Sequence, residues 1–131
     1  MADFRLGFHH VALRCKDIEK SLTMYKGLGM TEYARWGEGD ELIVMLNIGD
    51  GGIIELFANG GDKYADEGKW QHFAISCNDI EAVYEKALSL GFRPFIEPKT
   101  VPLDSSPEKM SINIAFVLGN DNEQLEFFKK I

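Results

Sequence analysis

HVALRCKDIEKSLTMYKGLG (10–29) is written a second time as HFAISCNDIEAVYEKALSLG (72–91). His10 and His72, Ala12 and Ala74, Cys15 and Cys77, Asp17 and Asp79, Ile18 and Ile80, Glu19 and Glu81, Leu28 and Leu90, and Gly29 and Gly91 are identical pairs. That makes eight identities in twenty positions at a constant offset of 62, with no gap. Two copies at this spacing are too few and too long for a solenoid. They imply two similar half-domains packed together, with one histidine at the same point of each.

Within each copy the residues prescribe the same local order. An apolar, β-leaning run (7–15, 70–77) leads to an aspartate, Asp17 or Asp79, suited to cap a helix N-terminus. Ile18, Leu22 and Tyr25 then share one helical face, as do Ile80, Val83, Tyr84 and Ala87. These faces are expected to pack on the outer side of a sheet. Gly29 and Gly91 stop the helices with a residue that accepts positive φ. Strands are expected at about 31–36, 41–48 and 52–58, with the turn GDGG (49–52) joining the last two. The second copy repeats them near 92–97, 110–118 and 123–129. The proline-rich stretch 98–109 is expected to be a long loop.

The fold class is therefore α+β, two βαβββ modules whose Gly-rich hairpins favour a mostly antiparallel sheet over parallel crossovers. The first module spans about 7–58, a polar loop 59–69 forms the seam, and the second module spans about 70–131. Residues 1–131 read as a single domain, since half-domains of this size are marginal alone and would share a core.

The chain has 131 residues, is 45% hydrophobic and carries a formal net charge of -7. An acidic chain repels phosphate backbones, so nucleic acid is excluded as a partner. No apolar run approaches the ~20 residues needed to span a membrane. No basic-then-apolar leader is evident at the N-terminus, and a cytoplasmic setting is expected. Cys15 and Cys77 end apolar strands and read as small buried hydrophobes rather than a disulfide.

On a strand, alternate side chains share a face. His10 shares one with Phe8, Ala12 and Arg14; His72 shares one with Trp70, Ala74 and Ser76; His9 faces the other way, as packing or surface. One histidine on an apolar strand is usually a satisfied core residue, but a pseudo-twofold axis could bring two equivalent ones to a single point. The fourth strand of each module adds a glutamate inside an apolar run, Glu55 in IIELF and Glu126 in QLEFF. A buried, unpartnered carboxylate costs several kcal/mol. Either each glutamate stands at a solvated sheet edge or a cation neutralises it. His10, Glu55, His72 and Glu126 together make a donor set for one divalent ion such as Zn, Ni, Co, Mn or Fe, with room for water or substrate.

The duplicated βαβββ order, with His on the first strand and Glu on the fourth of each half, resembles the vicinal oxygen chelate superfamily over essentially the whole chain. That superfamily includes glyoxalase I, methylmalonyl-CoA epimerase, extradiol dioxygenases, fosfomycin-resistance enzymes and bleomycin-binding proteins. The resemblance implies a metal held in the cup of a curled eight-stranded sheet. The His-Glu-His-Glu set is most similar to that of bacterial glyoxalase I, which implies His10, Glu55, His72 and Glu126 as metal ligands. HVALR, SLTMYKGLGMT and ELFAN also resemble glyoxalase wording, and imply that Arg14 and Asn59 hold the substrate. EKMSINIAF adds Lys109 to that role. GNDNEQ (119–124) departs from the Asp-Pro-Asp-Gly of many relatives.

The activity implied is that of a metal-dependent glyoxalase-type lyase or isomerase moving a proton next to a carbonyl. Glu126 is the first candidate for the acid–base group and Glu55 the second. Acyl-CoA epimerisation and antibiotic sequestration are the alternatives. A four-ligand set leaves a dioxygenase one coordination site short. The expected partners are a small-molecule substrate and a second copy of the chain, since relatives build the cup within one chain or across a homodimer.

Overall fold

A computed structural model of the chain describes residues 8, 10–60, 72–105, 107 and 109–131. The expectations for His9 and Trp70, and most of the seam expected at 59–69, lie outside them. In chain order the elements are β1 (His10–Arg14), α1 (Ile18–Gly27), β2 (Thr31–Trp36), a 3₁₀ turn (Gly39–Glu41), β3 (Ile43–Asn47), β4 (Ile53–Phe57), β5 (Phe73–Ser76), α2 (Ile80–Ser89), β6 (Arg93–Leu103), β7 (Met110–Leu118) and β8 (Gln124–Lys130). This is βαβββ written twice.

Each helix starts and stops as its residues dictate. The Asp17 carboxylate accepts from the Lys20 backbone N–H and the Asp79 carboxylate from that of Ala82, which satisfies donors that the first turn leaves without partners. Gly29 and Gly91 take φ of 110° and 99°, in the left-handed region that glycine enters without strain. The inward faces bury Ile18, Leu22 and Tyr25 on α1 and Ile80, Tyr84 and Ala87 on α2.

The strands form two four-stranded sheets, β1-β4-β3-β2 and β5-β8-β7-β6, each mixed. β1 runs parallel to β4 and β5 parallel to β8, while every other pairing is antiparallel. Among the described residues the two sheets are separate, with β1 and β5 each at the edge of its sheet. One core serves both modules: Leu13, Leu22, Tyr25, Leu46 and Leu56 of the first pack in one cluster with Tyr84, Phe92, Val117, Leu125 and Phe127 of the second. The Tyr25 and Phe92 rings meet edge to face across the seam, 5.5 Å between centroids.

The expected loop at 98–109 is corrected. β6 continues through Leu103, which pairs with Met110 of β7, so residues 98–103 are strand and not loop. Pro94, Pro98 and Pro102 recur within it, yet β6 is the outer strand of its sheet. An edge strand has no ladder on one side, so missing N–H donors are tolerated there and block association with other chains.

Candidate functional site

β1 and β4 carry the first half-site. Their parallel register sets Ala12 directly opposite Glu55, with His10 opposite Ile53. The small alanine leaves space for His10 to lean diagonally, and its Nε2 lies 3.7 Å from Glu55 Oε1. The second module repeats this: Ala74 is opposite Glu126, and Nε2 of His72, which immediately precedes β5, lies 3.6 Å from Glu126 Oε1. Both glutamates are only 8% exposed, although each sits in an apolar strand. The histidines are exposed, so each pair has a covered carboxylate beneath an accessible imidazole.

Both separations exceed a hydrogen bond. They approach the ~3.0–3.4 Å expected between neighbouring ligands of an ion bonded at about 2.1 Å. Nitrogen and carboxylate donors at this spacing fit a first-row divalent ion. The four residues meet as two pairs on two sheets. Among the described residues, no three His, Cys, Asp or Glu side chains of one chain are grouped to hold an ion. Burial raises the Glu126 carboxyl above its ordinary range, and the neighbouring His72 pulls it partly back.

Arg14 and Asn59 come together at the end of the first half-site. The chain leaving β4 folds onto the end of β1, where the Gly60 N–H donates to the Cys15 carbonyl at 3.0 Å. A Cβ at Gly60 would lie 2.6 Å from the Cys15 backbone, so only glycine permits this approach. Arg14 Nη1 then donates to Asn59 Oδ1 at 3.2 Å, and the guanidinium stands over the Phe57 ring, 5.8 Å from its centroid. Arg14, His10 and Glu55 share one face of the sheet, so this cation sits along the strands from the first pair. Lys109 is placed elsewhere, in the β6–β7 turn, with Nζ 3.6 Å from Asp104 Oδ1. Glu126 pairs with Phe116, seven residues along from Lys109, on the order of 20 Å at a strand's rise.

Two acidic residues emerge that the sequence reading left without a role. Asp121 and Glu123, in the turn between β7 and β8, are buried. Asp121 Oδ1 accepts the Lys16 N–H at 2.8 Å, and Glu123 Oε2 accepts the Tyr25 hydroxyl at 2.9 Å, so this turn of the second module grips the β1–α1 corner of the first. The departure of GNDNEQ from the wording of relatives was the available signal. A mainly apolar cleft of about 650 Å³ follows the open edge of β5, lined by Met30, Ile48, Phe73, Cys77 and Val83 among others; neither His–Glu pair lines it.

Residues 7–127 match the model of the glyoxalase/bleomycin resistance protein/dioxygenase superfamily. The uncharacterized protein YwbC of Bacillus subtilis (strain 168) is 27% identical over 126 residues, 92% of this chain and 95% of that one. Among solved structures, glyoxalase I from Zea mays is similar with a TM-score of 0.73 and 24% identity, over 92% of this chain and 43% of that one. A glyoxalase/bleomycin resistance protein/dioxygenase from Alicyclobacillus acidocaldarius matches with a TM-score of 0.67 and 15% identity, over 95% and 92% of the two chains. At these identities the solved structures speak to the fold.

Proposed function

The chain belongs to the glyoxalase/bleomycin resistance protein/dioxygenase superfamily, and on that premise we propose that it is a metal-dependent lyase or isomerase of the glyoxalase type. The observation that carries this reading is the duplicated pair, a covered glutamate with an accessible histidine 3.6–3.7 Å away at equivalent points of both modules. His10, Glu55, His72 and Glu126 would hold the ion. When bound, a divalent ion acts as a Lewis acid toward two neighbouring substrate oxygens and makes the adjacent C–H more acidic.

The protein's own residues do the rest. Glu126 takes the proton from the hemithioacetal carbon and returns it to the neighbouring carbonyl carbon. The hydroxyl proton of the first carbon passes to the oxygen of the second, so the first carbon is oxidised to a thioester and the second reduced to an alcohol, with no outside oxidant or reductant. A carboxyl raised by burial holds a proton more readily than an exposed one, which suits a group that must both take and release it. Glu55 would serve only to hold the ion. Arg14, fixed by Asn59 and Phe57, binds an anionic group of the substrate.

The complete site forms between two copies of the chain. Among the described residues β1 and β5 are sheet edges, and the two His–Glu pairs lie on separate sheets, which supports this reading. Strand addition between β1 of one copy and β5 of another would make one eight-stranded sheet, with His10 and Glu55 of the first facing His72 and Glu126 of the second. The test is an assay of protein loaded in turn with Zn, Ni, Co, Mn and Fe, offering methylglyoxal–thiol hemithioacetals and acyl-CoA epimers. Formation of the 2-hydroxyacyl thioester is expected. Turnover of the acyl-CoA alone would reassign the enzyme as an epimerase, and turnover of neither, with no bound ion, would favour sequestration.

A further inference from the structure

The repeat contains a pair outside the identical positions, Tyr33 and Phe95, which are also offset by 62. Both fall where the strand register slips. The β2–β3 register shifts between Glu32 and Ala34, and the β6–β7 register between Pro94 and Ile96, so each aromatic is the extra residue of a bulge. A bulge re-aims the side chain it carries and is over-represented beside functional sites. Both residues are exposed, Tyr33 at 65% and Phe95 at 50%.

In the second module the geometry continues inward. The Phe95 ring lies edge to face with Phe116, 6.3 Å between centroids, and Phe116 lies edge to face with His72 at 5.6 Å. Phe116 is also the direct cross-strand neighbour of Glu126. A row of rings thus runs from the His72–Glu126 pair to the outer strand of the sheet. The first module has Met45 opposite Glu55 where the second has Phe116, so the two half-sites differ in the wall they offer.

We propose that Phe116 and Phe95 form a specificity wall that receives a flat, apolar substituent of the substrate, an aryl ring before a methyl group. This rests on the functional reading above, since it takes the His–Glu pairs as the point where the substrate's oxygens bind. A group bound beside the His72 imidazole meets Phe116 first and Phe95 next. Aromatic rings favour another ring offset or edge-on to them, and both existing contacts already have that geometry.

The experiment is isothermal titration of the metal-loaded protein with two bidentate oxygen ligands that differ in their substituent, benzohydroxamate and acetohydroxamate. Benzohydroxamate should bind wild type about 10-fold more tightly or better, and Phe95→Ala and Phe116→Ala should each weaken it by about 3- to 10-fold, the range of one aromatic contact. Acetohydroxamate affinity should stay unchanged in Phe95→Ala, whose ring reaches His72 only through Phe116. Phe95 is half exposed, so its truncation should leave the melting temperature near that of wild type. Equal affinity of wild type for both probes would overturn the wall while leaving the metal site standing. So would full benzohydroxamate affinity in both variants, or a Phe95→Ala effect confined to the dimerisation constant. Failure of both probes to bind wild type would overturn the metal-site reading and the wall with it.

Discussion

Glu55 and Glu126 hold equivalent positions with unequal neighbours. Glu55 faces Met45 across its strand pair, and Glu126 faces Phe116. Burial raises the Glu126 carboxyl above its ordinary range, and the proposed function takes Glu126 as the proton-transfer group. Glu126→Gln keeps the side chain's size and one oxygen donor but cannot take a proton. Turnover of the hemithioacetal should fall at least ~100-fold, the lower end for a positioned acid–base group, with part of the metal retained on analysis of the purified variant. Near-normal turnover would move the base to Glu55. These four residues were legible because a histidine repeated at a fixed offset and a glutamate inside an apolar run both conflict with ordinary core composition. The diagonal lean that joins each pair was less so, since it depends on Ala12 and Ala74 standing opposite the glutamates in a parallel register.

At the scale of elements, the turn between β7 and β8 ties the two modules together. Asp121 and Glu123 bond to the β1–α1 corner and to Tyr25, and the Glu123 side chain lies against Gly119. A Cβ at Gly119 would stand 2.3 Å from the Glu123 carboxyl carbon. Gly119→Ala should therefore displace that carboxylate and cost about 1–3 kcal/mol in urea denaturation, as for a buried polar group that loses its partner. Burial is the largest cause raising the Glu123 carboxyl above its ordinary range, so the folded state favours its protonated form. Its contribution to stability is present below the unfolded-state pKa and is lost as pH rises through the raised folded-state value. Wild type should accordingly lose stability relative to Glu123→Gln as pH rises from the ordinary carboxylate range toward neutrality. Urea midpoints of the two proteins across that window measure the difference, and parallel curves would contradict the assignment. The helices were readable from the caps Asp17 and Asp79 and the stops Gly29 and Gly91. β6 was not, because the prolines that suggest a loop are harmless on an edge strand, and edge position is set by the whole sheet rather than by local residues.

For the whole molecule, duplication explains why the chain carries two His–Glu pairs and one core. The sequence pattern identified the modules, but whether two four-stranded sheets join within a chain or between chains depends on edges that no local signal specifies. If the site is shared between copies, mixing His10→Ala with His72→Ala protein should restore activity that neither has alone, because one mixed dimer keeps an intact His10–Glu55 half facing an intact His72–Glu126 half. No restoration after verified subunit exchange would place the site within one chain. Whether His10, Glu55, His72 and Glu126 hold a single ion is decided by metal titration of wild type, His10→Ala and His72→Ala. Wild type should hold about one divalent ion per chain tightly, and either variant should lose essentially all of it, since each removes a ligand from the same site. Retention of half or more of the metal in either variant, or none bound by wild type, would contradict a single shared ion.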